Sequence, residues 1–266
     1  MREDTNPDVQ RSGQLPLVLQ RISDGVLSLT LNRPEKLNAL DAAMVEALHV
    51  ALDMHGDHPE VRAIVLSGAG TKAFVAGADI AELRERRRDQ AIVGINSELF
   101  DRIANVPVPT VAAVRGYALG GGCELAIACD IRVAGESAKI GQPETGLGIM
   151  AAAGATYRLP PLVGLGMARE MLFSGRLVGA EEALRIGLVN RVVPDDEVRP
   201  VAEKLAKRIA RNDPLAVRMT KAALSARFNA DNHSAKIFEC IAQAVLFESP
   251  EKFRRMGEFL ERKNQQ

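Results

Sequence analysis

Three consecutive glycines, at residues 120–122, constrain the fold of this chain more than any other feature. They lie in the stretch G-Y-A-L-G-G-G-C-E-L-A-I-A-C-D, residues 116–130, between the strand-like segments P-T-V-A-A-V and I-R-V-A. Glycine costs backbone entropy, and a carboxylate such as Glu124 is expensive in an apolar helix unless it is paired or neutralised. The stretch therefore predicts a strand-to-helix junction. We expect that junction to have a structural or functional role that offsets the entropic cost of the glycines and the cost of burying the carboxylate.

The order strand, helix, strand recurs along the chain and favours parallel connections in an α/β core. Two strand patterns meet at a hairpin signal, residues 23–25, and the second of them, residues 26–31, alternates as a half-buried strand does. Asp41 can cap a helix, and residues 80–105 indicate two more helices.

From about Asp195 onward the pattern is helical throughout. We therefore expect three parts along the chain: a polar, flexible leader at residues 1–14, the α/β core at residues 15–200 and a helical region at residues 201–266.

The composition excludes several classes of partner. Lys plus Arg and Asp plus Glu both number 34, so the chain as a whole has no charge bias toward nucleic acid or anionic membranes. No apolar run is as long as a membrane span, and the three cysteines lack the spacing of metal ligands. We expect a cytoplasmic protein that binds neither nucleic acid nor membrane.

The glycines do not fit a phosphate-binding loop, because neither the dinucleotide spacing nor the Gly-Lys-Ser/Thr of a Walker motif is present. Two interpretations remain for this stretch alone. Small residues could let the helix pack tightly, or they could let a ligand approach the free N–H groups of the first helical turn and form an oxyanion hole.

Two other segments favour the ligand interpretation. The stretch K-A-F-V-A-G-A-D-I-A-E-L, residues 72–83, is a second glycine-containing strand exit before a helix, and I-G-Q-P-E-T-G-L-G-I, residues 140–149, holds Glu144 in a loop. Two carboxyls and two sets of backbone donors suit acid–base chemistry on a carbonyl compound.

Four motifs in this order resemble the crotonase (enoyl-CoA hydratase/isomerase) superfamily, and the resemblance runs from about Leu17 to the C-terminus. They are L-N-R-P-E-K-L-N-A-L-D at 31–41, F-V-A-G-A-D-I at 74–80, V-R-G-Y-A-L-G-G-G-C-E-L-A at 114–126 and I-G-Q-P-E at 140–144. The resemblance implies an α/β fold, a spiral of ββα units with a C-terminal helical trimerisation region.

The resemblance also implies roles for individual residues. The N–H groups of Ala78 and Gly121 would form the oxyanion hole for an acyl-CoA thioester. Glu124 and Glu144 would hold the water, with Glu124 activating it and Glu144 giving the proton to C2. The implied substrate and coenzyme A edge comprises Glu35, Lys36, Leu37, Ala76, Asp79, Ile80, Ala81 and Gly120.

The function that this resemblance implies is enoyl-CoA hydratase, the reversible syn addition of water to a 2-trans-enoyl-CoA. No metal and no separate cofactor are expected, since coenzyme A is part of the substrate. An enoyl-CoA isomerase or a hydratase of branched or aromatic enoyl-CoA is the alternative on the same scaffold, and a non-catalytic acyl-CoA-binding protein is the alternative from another class. Assembly as a homotrimer or homohexamer is implied too.

The chain departs from the family pattern in the loop after Glu144. Residues 149–159 read I-M-A-A-A-G-A-T-Y-R-L, with Ala151 where proline is usual, Ala152 and Ala155 where glycines are usual, and Tyr157 where glutamine is usual. This puts the substrate range in doubt more than the chemistry. Arg254 and Arg255 replace an expected Glu-Gly near the C-terminus, so contacts of that region are not carried over.

Two further features are expected to have no role in the chemistry. Lys221 is interpreted as a solvated lysine on a helix. The run D-M-H-G-D-H, residues 53–58, stands at a helix end, where exposed polar residues are ordinary, and is not expected to bind a metal.

Overall fold

The computed structural model describes residues 15–56, 58–227 and 232–264, so the predicted leader at residues 1–14 lies outside the described residues. The described strands are β1 Val18–Ser23, β2 Val26–Leu31, β3 Ala63–Gly68, β4 Ala73–Val75, β5 Thr110–Val114, β6 Tyr117–Leu119, β7 Ile131–Gly135, β8 Lys139–Gly141, β9 Leu177–Gly179 and β10 Arg191–Val193.

The described α-helices are α1 Ala42–His55, α2 Ile80–Glu85, α3 Arg88–Val93, α4 Ile95–Asn105, α5 Gly121–Ala128, α6 Ala155–Val163, α7 Leu165–Ser174, α8 Ala180–Arg185, α9 Val198–Ala210, α10 Pro214–Arg227, α11 Asn232–Phe247 and α12 Pro250–Asn264. Two 3-10 helices cover Pro34–Lys36 and Pro143–Leu147. The carboxylate of Asp41 accepts the N–H of Met44 at 2.8 Å, which confirms the predicted cap of α1.

The strands form two sheets that the chain visits in turn. One has the order β1-β2-β3-β5-β7-β10 and is parallel apart from the β1–β2 hairpin; the other has the order β4-β6-β8-β9 and is parallel apart from β9. Consecutive strands β3 and β4, β5 and β6, and β7 and β8 each place one strand in each sheet before a helical segment follows. This is the predicted α/β spiral of ββα units.

Strand β2 is buried on both faces, so the prediction of a half-buried strand is wrong. Ser28 and Thr30 are only 5% and 4% exposed, because α9 covers this face of the six-stranded sheet with Val198, Ala202, Ala206 and Ala210. The hydroxyls of Thr30 and Ser67 bond to each other at 3.1 Å, which satisfies polar groups that have no water. Helix α9 spans the predicted boundary at residue 200, which stays a prediction.

Residues 80–105 form three helices, not the predicted two. The backbone is extended at Arg86 and Arg87, which separates α2 from α3, and Gly94 adopts a left-handed conformation with φ of 63° between α3 and α4. Glycine adopts this φ without the steric penalty that other residues meet. These short helices form one wall of the site described below.

Lys221 is buried, which corrects the interpretation of a solvated lysine. Its Nζ donates to the carbonyl of Val108 at 3.0 Å and pairs with Asp130 at 2.8 Å, and Asp130 also accepts the N–H and hydroxyl of Thr110. The lysine therefore fastens α10 to the start of β5 and to the end of α5.

The C-terminal helices α11 and α12 carry large apolar side chains that are 36–64% exposed: Ile237, Phe238, Ile241, Val245, Phe247, Phe253, Met256, Phe259 and Leu260. None of the helices in the described ranges is both long and apolar enough to cross a membrane.

Candidate active site

The groups predicted to carry the chemistry follow three neighbouring parallel strands. Strands β4, β6 and β8 pair in that order, and their carboxyl ends lead into residues 76–78, residues 120–122 and residues 142–144 respectively. Carboxyl ends of adjacent parallel strands meet at one edge of a sheet, where α/β proteins commonly bind ligands. The sequence therefore brings these three segments together through strand pairing alone.

The three glycines lie in three different structural environments. A Cβ on Gly122 would lie 2.0 Å from the carbonyl oxygen of Val75, so its absence lets α5 pack against β4. Gly120 has φ of 50° and ψ of −120°, a backbone region that favours glycine. Gly121 has no such restriction, because the nearest atom to a Cβ there would be 3.6 Å away. The packing interpretation of the glycine stretch thus holds at Gly122, and the ligand interpretation stays a prediction for Gly121.

Ala78 and Gly121 place N–H groups side by side. Leu40 forms a bridge by donating to the carbonyl of Gly77 at 2.9 Å and accepting from Asp79 at 3.1 Å, so the N–H of Ala78 faces away from Leu40. The nitrogen of Ala78 lies 3.9 Å from the position of a Cβ on Gly121, and Gly121 is the first residue of α5, whose N–H has no partner within the helix. Two donors beside each other can bind an oxygen that gains negative charge.

Both donors and both glutamates line one cavity of about 990 Å³, together with the apolar side chains of Ile80, Leu83, Ile95, Leu147, Ile149 and Met150. Of the predicted substrate edge, Ala76, Ile80 and Gly120 also line it. Glu35, Lys36, Leu37, Asp79 and Ala81 are not part of its lining, although the carbonyl of Leu37 accepts the N–H of Ala76 at 3.1 Å.

Asp79 has a structural task at this edge. Its carboxylate caps α2 by accepting the N–H groups of Ala81 at 3.0 Å and Glu82 at 3.4 Å, and it pairs with Arg33 at 3.4 Å. The hydrogen bond from the N–H of Glu82 is the main reason why the pKa of Asp79 lies below its usual value, and the hydrogen bond from Ala81 and the charge of Arg33 act in the same direction.

Glu124 is only 3% exposed and lies in the first turn of α5. Its Oε1 accepts the N–H of Ala153 at 2.8 Å and the N–H of Ala155 at 3.1 Å. Burial raises the pKa of Glu124, while these two hydrogen bonds and the positive charge of Arg158 oppose the rise. The buried carboxyl is thus provided with groups that stabilise its ionised form.

Glu144 is the second residue of the 3-10 helix after β8 and is half-buried. Burial, with a smaller contribution from the negative charge of Glu124, raises the pKa of Glu144 to about 7. The amide of Gln142, which is 1% exposed, donates to Oε1 and Oε2 of Glu144 at 3.1 Å each when its nitrogen faces the carboxyl. The two glutamates therefore meet different environments: Glu124 has two backbone N–H donors and the positive charge of Arg158, whereas Glu144 has the amide of Gln142 and is less buried.

Sequence reasoning did not find three groups at this site. The side chain of Asn96 lines the cavity with Nδ2 3.7 Å from the position of a Cβ on Gly121, and its Oδ1 has no partner in the described part of the chain. Gln142 and Arg158 are the others. An asparagine early in a polar helix carries no signal that distinguishes it from a solvated residue, whereas Gln142 and Arg158 stand inside quoted motifs.

A metal is not indicated within residues 15–56, 58–227 and 232–264, where no group of three or more His, Cys, Asp or Glu side chains could hold one. In the run at residues 53–58, His55 and His58 lie with ring centroids 6.5 Å apart, while Asp57 lies outside the described residues.

The family model described as "Enoyl-CoA hydratase/isomerase" matches residues 21–266 of the chain. A short-chain-enoyl-CoA hydratase of Clostridium acetobutylicum is 41% identical over 242 residues, which covers 90% of this chain and 92% of the relative. A crotonyl-CoA hydratase of Syntrophomonas wolfei is 41% identical over 237 residues, which covers 88% of this chain and 91% of the relative.

Solved structures give the same result. The crystal structure of an enoyl-CoA hydratase from Bacillus anthracis superposes with a TM-score of 0.89 at 36% identity, and the match covers 92% of this chain and 96% of that one. An enoyl-CoA hydratase from Thermoplasma volcanium superposes with a TM-score of 0.86 at 35% identity, covering 92% and 98%.

Proposed function

The chain belongs to the enoyl-CoA hydratase/isomerase family, and from this premise we propose that it adds water reversibly to 2-trans-enoyl-CoA thioesters to give 3-hydroxyacyl-CoA. The observation that carries the proposal is the pair of glutamates in unlike environments beside two adjacent backbone donors. An enolate formed next to a thioester carbonyl needs such donors, and hydration needs one carboxyl that is ionised and one that is protonated.

The residues divide the reaction as follows. The N–H groups of Ala78 and Gly121 bind the thioester oxygen and stabilise the negative charge that develops on it. Glu124, in its ionised form, takes a proton from water as the water oxygen bonds to C3. Glu144, held protonated, gives its proton to C2. One proton enters and one leaves the pair, so exchange between the carboxyls through solvent restores the starting state.

The acyl group is short to medium in length. Its proposed place is the apolar part of the cavity, which Ile80, Leu83, Ile149 and Met150 help to line. The coenzyme A portion extends along residues 35–37 and 76–81, the edge that the resemblance to the family implies. Coenzyme A is part of the substrate, and no metal or other cofactor takes part in this scheme.

Assembly is proposed as a homotrimer or a dimer of trimers in the cytoplasm. Helices α11 and α12 support this, because so many large apolar side chains on two helices mark an interaction surface. The thiols of Cys123 and Cys129 are free and buried, which suits a reducing compartment. Light scattering should report a mass of three or six chains, and a monomer would contradict this part of the proposal.

A substrate panel tests the reaction. Loss of enoyl absorbance with crotonyl-CoA and with longer, branched and aromatic 2-enoyl-CoA thioesters should show hydration, with the highest kcat/KM on short to medium unbranched chains. A 3-enoyl-CoA that is converted faster than any 2-enoyl-CoA is hydrated would favour an isomerase. Tight binding of acyl-CoA without turnover of any panel member would overturn the proposal in favour of a binding protein.

A further inference from the structure

Arg158 joins the segment that binds Glu124 to a helix on the other side of the site. The Arg158 side chain, on the first turn of α6, is 13% exposed. Its Nη1 donates to the carbonyl of Ala153 at 3.2 Å, and its Nη2 pairs with Asp101 of α4. The same guanidinium therefore contacts both the backbone next to the glutamate and a fixed carboxylate.

Residues 153–155 are held from two directions. On one side, the N–H groups of Ala153 and Ala155 converge on Oε1 of Glu124. On the other side, a Cβ on Gly154 would lie 2.0 Å from Nη1 of Arg158, so the guanidinium lies directly against bare backbone. Gly154 has φ of 119°, which favours glycine and turns the two flanking N–H groups toward the same oxygen.

Tyr157 adds a second contact that fixes Asp101 and Arg158. Its hydroxyl donates to Oδ1 of Asp101 at 3.0 Å, the oxygen that also pairs with Arg158, and the guanidinium carbon lies 4.8 Å from the centroid of the tyrosine ring. Glutamine is usual at this position in the family, so the hydroxyl and the ring face are features of this chain.

We propose that Arg158, held in place by Asp101 and Tyr157, is a positioning residue that keeps residues 153–155 against Glu124 and keeps the Glu124 carboxylate charged for the activation of water. This inference rests on the proposed function for the role of Glu124. The physical reason for the proposal is that a deeply buried carboxylate stays ionised only while its hydrogen-bond donors and a nearby positive charge remain in place.

The charged and titratable groups around Glu124 come from three elements. Cys123 of α5 is neutral, since burial raises the pKa of its thiol far above the usual value. Glu144, on the 3-10 helix after β8, opposes a second negative charge. Arg158 and Tyr157 come from α6, and Arg158 is the group among them whose positive charge lowers the pKa of Glu124 against the effect of burial. Loss of Arg158 should therefore raise that pKa.

The experiment compares Arg158→Met, Arg158→Lys and Tyr157→Phe with the unaltered protein. In the pH dependence of kcat/KM for crotonyl-CoA hydration, we expect the acidic limb of Arg158→Met to move up by about one pH unit or more. Its kcat near neutral pH should fall about 10- to 100-fold. Arg158→Lys keeps the charge without the planar fork and should shift the limb less, and Tyr157→Phe should shift it least, in the same direction.

A direct titration separates this inference from the proposed function. In protein labelled with 13C at the glutamate carboxyl carbon, the Glu124 signal is assigned by its loss in Glu124→Gln and followed against pH. A raised midpoint in Arg158→Met supports the inference whether or not the unaltered protein hydrates crotonyl-CoA. An unchanged midpoint overturns it, and absent hydration by the unaltered protein overturns the proposed function alone.

Arg102→Met is the matched control. Arg102 lies next to Asp101 on α4 and pairs with Asp53, away from the cavity. It should change neither the acidic limb nor the Glu124 titration, even if it lowers thermal stability. If Arg158→Met does not fold, the test rests on Arg158→Lys and Tyr157→Phe. If the acidic limbs of their pH profiles are both identical to that of the unaltered protein, the contacts of Arg158 with Asp101 and Tyr157 are structural only.

Discussion

The carboxyl of Glu144 occupies space that Gly120 leaves free. A Cβ on Gly120 would lie 2.7 Å from Oε1 of Glu144, closer than two such atoms approach in folded proteins. Gly120 thus makes room for the carboxyl of Glu144, the proposed acid. Gly121 presents the proposed backbone donor, and Gly122 allows α5 to pack against β4.

Gly120→Ala should therefore displace the Glu144 carboxyl. The obstructed atoms are at the far end of a side chain and can move, but an alanine is also strained at φ of 50°, so the variant should fold with reduced stability. Hydration of crotonyl-CoA should fall about 100-fold, as expected when a catalytic group is misplaced by about 1 Å. Gly146→Ala is the control, since nothing lies within 4 Å of a Cβ there. Equal kcat values for Gly120→Ala and Gly146→Ala would contradict the proposal that Gly120 makes room for the Glu144 carboxyl.

Glu124→Gln and Glu144→Gln should each lower kcat by about 10²- to 10⁴-fold, because each removes one partner in proton transfer while preserving the shape of the side chain. Binding of a non-reactive acyl-CoA, measured by calorimetry, should change little, since the oxyanion donors are backbone groups. Glu181→Gln, on the exposed surface of α8, provides the control. An active Glu144→Gln variant would refute the assigned role.

The rate of hydration should fall as the pH rises through about 7. Below that pH Glu144 holds its proton and can give it to C2; above it, the fraction of the pair that carries one proton declines. Dehydration of 3-hydroxybutyryl-CoA should show the same limb, because both directions start from the singly protonated pair. A rate that climbs between pH 7 and pH 9 in either direction would be inconsistent with this assignment.

Glu144→Gln should make the folded state more stable at alkaline pH. The pKa of Glu144 is raised to about 7 from its usual value of 4.5, so the native state binds the proton more tightly and loses stability as the pH rises from about 4.5 to about 7. Above pH 7 the variant should gain about 2 kcal/mol in the free energy of unfolding, after allowance for the exposed part of the carboxyl. Urea unfolding at pH 5 and pH 8 measures the difference, which should be small at pH 5.

Gly122→Ala and Gly121→Ala should separate folding from activity. A methyl on Gly122 collides with the backbone oxygen of Val75 at 2.0 Å, so the variant should lose about 3 kcal/mol or fail to fold. A methyl on Gly121 meets only ordinary contacts, with Leu40 at 3.6 Å and the nitrogen of Ala78 at 3.9 Å. That variant should melt near the unaltered protein yet lose activity, because the methyl stands beside both donors; thermal melting and the hydration assay together decide.

Much of the fold could be predicted from the sequence because its signals are local, whereas the roles of the site residues come from the resemblance to the family and stay predictions. Each of these signals depends only on neighbouring residues in the chain: the cap at Asp41, the hairpin at residues 23–25 and the glycines at residues 120–122. Burial on the second face of β2 could not be predicted in this way, since the helix that covers it begins at Val198, far along the chain.

The remaining parts of the site depend on distant pairs. Arg158 and Asp101 are 57 positions apart, and neither position shows in isolation that it belongs to the surroundings of Glu124. Lys221 likewise reads as a surface residue until its partner Asp130, 91 positions earlier, is placed beside it. Long-range pairing of polar groups leaves no periodic pattern, so one sequence read alone does not reveal it.

The spiral distributes the proposed functional groups over three successive turns of the chain. The segment after β4 supplies Ala78, the segment after β6 supplies Gly121 and Glu124, and the segment after β8 supplies Glu144. A change in the third turn can therefore exchange the acid and leave the anion-binding corner intact. In the proposed mechanism, the reaction can therefore be altered by substitutions in one turn of the spiral at a time, while the binding position of the thioester is preserved.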